Sequence, residues 1–257
     1  MMRSRPTFRP FLCIALVVAV VGCREDEPIP PSTPVATNGT LRVRMLPEWE
    51  GQPLAFYTEH RNVSDYRTTV ELLKIYLGDV DLLGSGADVR VKDVEFFDLA
   101  NGGDTVEWSV PAGTYSGLHA GLGVPPTINH SDPTLYGEGH PLSVSNGTHW
   151  GWAGGYRFVS FEGRYDPDPQ STAPLVTAFT LHTGPDTCYT ALQLMTAQPI
   201  VITAGSTTEL TIRVAVDRFY TDGTTTLDLA TENTLHGNDI PLALKCTRHM
   251  AASITVD

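Results

Sequence analysis

The stretch Val89 to Val110, VRVKDVEFFDLANGGDTVEWSV, decides the fold class. Two runs rich in Val, Phe and Trp, Val89 to Leu99 and Thr105 to Val110, flank Asn101-Gly102-Gly103-Asp104. Those four residues tolerate positive φ at little steric cost, so they mark a tight turn between two strands. Upstream, Thr40 to Leu46 (TLRVRML) alternates apolar and polar in the manner of a half-buried strand, and Thr68 to Leu77 follows. Downstream come Tyr156 to Tyr165, Val176 to His182, Cys188 to Leu194, Pro199 to Thr203 and Thr208 to Val216, with Ala204-Gly205-Ser206 marking a second turn. Only Leu227 to Glu232 and Leu242 to Met250 have the composition for one or two helical turns. Strands this numerous and evenly spaced, without intervening helices, predict an all-β chain: a single antiparallel β-sandwich with long ordered loops and little helix. No internal repeat and no linker follow residue 39, so residues 40–257 read as one domain.

The N-terminus has another purpose. Arg3, Arg5 and Arg9 precede an apolar run from Phe11 to Val21, too short to span a bilayer stably and typical of a signal peptide. The run ends Val20-Val21-Gly22-Cys23, which resembles the bacterial lipobox, where cleavage exposes a cysteine that carries lipid. An ordinary secretory signal with a chance cysteine is the alternative. Residues 1–22 are then the signal and 23–39, rich in proline, a tether. Arg24 after Cys23, by resemblance to lipoprotein sorting, favours the outer membrane, facing the periplasm or the cell surface, with the lipid as the only membrane attachment. Without the signal arginines the chain carries 14 basic against 29 acidic residues, a formal charge of −15, which argues against nucleic acid as a partner. Of four cysteines, Cys188 and Cys246 remain in the domain. An isolated pair in an oxidising compartment predicts one disulfide, with a thiolate metal site as the alternative.

The segment from Gly121 to Tyr156 breaks the strand pattern. It holds His130, His140 and His149 with Trp150 and Trp152 on sequence rich in Gly, Pro and Asn, and it has too much aromatic mass to be disordered. Imidazole is a common ligand for copper and zinc. Yet the eight histidines form no HxH or HExxH spacing, so any site must be assembled from separate loops. The tryptophans read equally well as anchors under the loop, and Trp150, Trp152 and Tyr156 also suit a surface that recognises glycan or protein. Carboxylates are scattered, no Gly-x-Ser-x-Gly elbow occurs, and no CxxCH haem attachment is present, so an enzyme is not expected.

Several motifs in order carry a more specific resemblance. These are Leu122-Gly123-Val124-Pro125, Asn129-His130-x-Asp132-Pro133, Pro141-Leu142, Trp150-x-Trp152-x-x-Gly155-Tyr156-x-Phe158, and Phe179-x-Leu181-His182-x-Gly184 with Cys188. Together with Leu72 to Leu83, Thr211 to Phe219 and Leu235-His236, they resemble the MbnP family of exported, often lipid-anchored copper-binding proteins. The resemblance implies a copper site of histidines, with a tryptophan oxidised to kynurenine by a partner, the di-haem cytochrome c peroxidase-type enzyme MbnH. Carried onto this chain, it points to His130 and His182 as ligands and to Trp150 or Trp152 as the modified residue. One position departs from the pattern. Relatives commonly have methionine two residues before the first tryptophan, and here that residue is Thr148. His149 is therefore an unusual third candidate ligand, and His60, His140 and His236 are weaker ones.

Overall fold

The computed structural model describes residues 37–151, 154–237 and 239–257. The signal, most of the tether, Cys23 and Trp152 lie outside the described residues. In chain order the elements are β1 (Asn38–Trp49), β2 (Gln52–Pro53), β3 (His60–Arg61), β4 (Arg67–Gly84), β5 (Val89–Asp98), β6 (Thr105–Pro111) and β7 (Gly113–Leu122). There follow α1 (Pro126–Asn129), β8 (Val159–Asp166), β9 (Thr177–Thr183), β10 (Thr190–Ile202), β11 (Thr207–Ala215), β12 (Thr234–His236), α2 (Ile240–Ala252) and β13 (Ile254–Val256). They form an all-β sandwich. The smaller sheet runs β13-β11-β1-β2, with β6 also on β1; the larger runs β10-β7-β4-β8-β9-β12, with β3 and β5 also on β4.

Both turns read from the sequence exist, and neither closes a hairpin. β5 pairs with β4 in the larger sheet and β6 with β1 in the smaller, so Asn101–Asp104 is a corner between sheets. Ala204–Ser206 does the same between β10 and β11. Gly102 and Gly205 take the positive φ each corner needs, 79° and 71°. Turn chemistry is alike whether a chain pairs with itself or changes sheet, so only the pairing tells them apart. At the first corner, the buried Trp108 of β6 donates Nε1–H to Glu95 Oε2 of β5 at 2.9 Å, a hydrogen bond between the layers.

The sandwich is not wholly antiparallel. β1 and β11 pair in parallel from Thr40–Thr207 to Glu48–Ala215, and β9 and β12 pair in parallel over three residues. A parallel pair needs a long crossover, and here the intervening strands, which belong to both sheets, supply it.

The central strand β7 is a further difference from the sequence reading, in which GTYSGLHAGL shows no strand. Its glycines are there for their neighbours: a Cβ on Gly117 would lie 2.3 Å from Leu194 O, and one on Gly121 2.1 Å from the Tyr189 ring. Leu227–Glu232 forms no helix, whereas α2 runs for 13 residues, capped by Asp239, whose carboxylate accepts from Leu242 N–H. Its inner face buries Leu242, Ala243, Cys246 and Met250. The expected Cys188–Cys246 disulfide is not formed. Both residues are free, buried thiols, and burial pushes the Cys246 thiol up to about 12.

The long segment before β8 is ordered over its described residues, through α1 and two 3-10 turns, Pro133–Leu135 and Val144–Asn146, begun by Asp132 and Ser143. Leu142 and Tyr156 bury beneath it, while Leu135 stays exposed.

Candidate metal centre

The parallel pairing of β9 and β12 sets His236 directly beside His182. In-register neighbours project from the same face of a sheet, and the two rings meet edge to face with centroids 5.4 Å apart. His182 is 3% exposed, whereas His236, on the edge strand, is open to solvent. On the other side of β9, Ser160 of β8 pairs with His182. Glu162 lies two residues further along β8 and so shares that face. Its Oε1 is 2.7 Å from His182 Nε2. That hydrogen bond, assisted by the charges of Arg157 and Lys74, holds the Glu162 carboxyl below the usual range. His182 Nδ1 is buried and has no partner among the described residues. An unpaired buried polar atom costs about 1–3 kcal/mol, so a second group is wanted there.

Trp150 closes this end of the sheet. A Cβ on Gly184 would lie 2.4 Å from Trp150 Cζ3, and one on Gly237 2.9 Å from Cη2. The six-membered ring of the indole is therefore seated against the backbone just past each histidine, in space that only glycine leaves. Trp150 N–H donates to Gly155 O at 2.9 Å, which closes the loop behind the ring.

His130 lines the same pocket as His182, His236 and Trp150. It follows α1, is half exposed, and its Nε2 lies 3.1 Å from Asp186 Oδ2. Asn129, fully buried, ties this wall together: Nδ2 donates to Asp186 Oδ1 at 2.7 Å and to Gly184 O at 3.2 Å, and Oδ1 accepts Tyr156 N–H at 2.8 Å. A pocket of about 650 Å³ results, lined by His130, Trp150, Arg157, His182, Asp186 and His236 among others.

The remaining histidines of the irregular segment go elsewhere. His149 does not meet His182. Its Nδ1 accepts from Gly151 N–H at 2.9 Å, its ring packs edge-on to Tyr156 at 4.8 Å, and it lines a neighbouring cavity shared with His130 and Asp132. Burial pushes its pKa down. His140 stacks on Tyr136 at 4.3 Å, and its Nδ1 accepts from Leu142 N–H. His60 stacks on Trp49 at 4.5 Å. Thr148 is buried, and its hydroxyl is hydrogen-bonded to the Tyr76 hydroxyl at 2.7 Å, so the departure from the methionine pattern bears on the core beneath the loop.

Of the residues singled out from the sequence, His130, His182 and Trp150 line one pocket, and so does His236, which stood among the weaker candidates. The signal for His236 was three residues of strand, Thr234–His236, too short to show alternation. Among the described residues, no group of three or more His, Cys, Asp or Glu side chains stands close enough to hold a metal ion. What fits a metal here is an adjacent pair of imidazoles, one with an orphan nitrogen, beside a third histidine and a tryptophan on the pocket wall. Imidazole nitrogen suits copper, nickel, iron and zinc rather than magnesium or calcium.

A search of curated proteins gives no match. Among solved structures, MbnP from Methylosinus trichosporium is similar, at 15% identity over 79% of this chain and 82% of that one, with a TM-score of 0.47. The family model for MbnP matches residues 38–238, which contain both sheets' principal strands and every pocket histidine, and the chain belongs to the MbnP family.

Proposed function

We propose that this protein binds copper and is not an enzyme. The single observation that carries the reading is the His182–His236 pair, in register on parallel strands, with a buried nitrogen on His182 that has no partner among the described residues and with Trp150 packed on the glycine that follows each histidine. His182 and His236 are the principal ligands, and His130, which lines the same pocket, contributes. Two adjacent imidazoles match the low coordination number that Cu(I) tolerates, and among divalent ions Cu(II) heads the Irving–Williams order, so imidazole ligation favours copper in either oxidation state. Placement at the membrane through lipid on Cys23, in the periplasm or on the cell surface, completes the reading.

Trp150 is our choice for conversion to kynurenine, by a di-haem partner of the MbnH type. Indole N–H is a donor only, whereas the opened ring carries an aryl amine, a nitrogen that can bind metal. The amine is borne by the six-membered ring, which packs by its Cζ3 and Cη2 edge against Gly184 and Gly237 in the pocket that His182 and His236 line. The rival reading, a recognition surface of loop aromatics, is disfavoured by Tyr156, which is 0% exposed and donates its hydroxyl to Leu142 O at 2.9 Å.

Metal analysis of the purified domain loaded with Cu(I) should give one copper per chain. The H182A/H236A double variant should lose it, and His130→Ala should weaken it. Unchanged stoichiometry in the double variant would sink the ligand assignment. Peptide mapping after co-expression with a di-haem partner should find the modification at Trp150; finding it on Trp152 alone would remove Trp150 from the site.

A further inference from the structure

A buried imidazole normally satisfies both ring nitrogens. His249 does: Nδ1 lies 3.1 Å from Phe219 O and Nε2 2.8 Å from the Thr225 hydroxyl. His182 is nearly as buried and satisfies one. Its Nε2 is engaged by Glu162 Oε1 at 2.7 Å, and its Nδ1 is enclosed with no partner among the described residues.

We infer that Glu162 is a positioning residue for the metal centre: it accepts a hydrogen bond from His182 Nε2–H and leaves the Nδ1 lone pair as the atom offered to a cation. The carboxylate is an acceptor only, so the nitrogen facing it must carry the proton, and the neutral ring then keeps its free lone pair on the other. The sheet fixes this arrangement. Glu162 reaches His182 diagonally across the β8–β9 pairing, while His236 flanks His182 from β12. The ring is thus held between a carboxylate on one strand and an imidazole on the other, and it cannot swing to present Nε2 to the pocket without breaking the Glu162 contact. Carboxylate–histidine pairs of this kind orient the ring and raise ligand basicity. The identity of the cation rests on the copper reading above; the tautomer does not, because it belongs to the protein before any metal arrives.

The test is long-range proton–nitrogen correlation NMR on histidine-labelled protein, with His182 assigned by comparison with His182→Gln. Without metal at neutral pH, His182 should show a protonated Nε2 and an unprotonated Nδ1, and one equivalent of Cu(I) should shift Nδ1 while Nε2 keeps its proton. Glu162→Ala should mix the tautomers and weaken Cu(I) binding by roughly 10–100-fold. Glu162→Gln, whose side-chain carbonyl still accepts from Nε2–H, should restore both the tautomer and most of the affinity. Glu162 is one-third exposed, so both variants are expected to fold, which thermal melts will check. A protonated Nδ1 in the metal-free protein, copper on Nε2, or wild-type tautomer and affinity in Glu162→Ala would each overturn the inference. Failure of the wild type to bind Cu(I), with Nδ1 unprotonated and Glu162→Ala mixing the tautomers, would defeat the copper reading and uphold the role of Glu162.

Discussion

Gly184 and Gly237 shape the pocket as much as the histidines do, because the Trp150 ring occupies the space where their side chains would be. In Gly184→Ala the new methyl meets Trp150 Cζ3 and Tyr156 O at 2.4 and 2.5 Å, and the ring must leave. Overpacking of this kind costs about 1–3 kcal/mol, and urea denaturation should show it together with altered tryptophan fluorescence. Copper affinity should fall in parallel. His249 makes a different prediction. Burial lowers its pKa, and both of its nitrogens are committed, so the native state resists a proton that the unfolded chain accepts. As pH falls through the unfolded value of about 6.5, the unfolded state binds more protons and stability declines. Thermal melts between neutral and mildly acid pH should show that decline, and His249→Gln, less stable at neutral pH, should lack this component of it.

At the level of elements, β12 is small and decisive. Leu235 is its buried anchor, flanked by residues that face out. Leu235→Ala removes a core side chain at a cost of about 2–5 kcal/mol. Hydrogen exchange should then quicken at the β12 amides, and His236 should lose its fixed place beside His182. Why β12 escapes sequence reading is plain: three residues cannot display a period of two, so His236 looks like any of the other seven histidines. β7 escapes for the opposite reason, since its glycines serve Leu194 and Tyr189 and resemble a loop. β1, β5, β6, β9 and β11 were legible because each alternates over a long run with turn residues at one end. The same turn residues do not encode partners, for both corners change sheets where a hairpin would stay. The pocket was half legible: His130, His182 and Trp150 stand in recognisable motifs, whereas Glu162 owes its role to a cross-strand contact, and Asn129, though in a motif, to hydrogen bonds with Gly184, Asp186 and Tyr156 that no local pattern encodes.

Across the whole molecule, the match to the family ends at residue 238, but the fold does not. α2 and β13 bury Leu242, Ala243, Cys246, Met250 and Ile254, and β13 pairs with β11. A chain cut after residue 238 should therefore fail to hold a cooperative fold, with loss of the thermal transition by circular dichroism as the measure. The parallel pairing of β1 with β11 has a kinetic consequence. Thr40 cannot find Thr207 until nearly the whole domain is available, so the smaller sheet closes late and its first strand waits with an unpaired edge. Topologies dominated by such distant contacts fold in milliseconds to seconds rather than microseconds. During synthesis the N-terminal half has no completed sheet to settle into, and the polypeptide stays pliable until its last third has emerged.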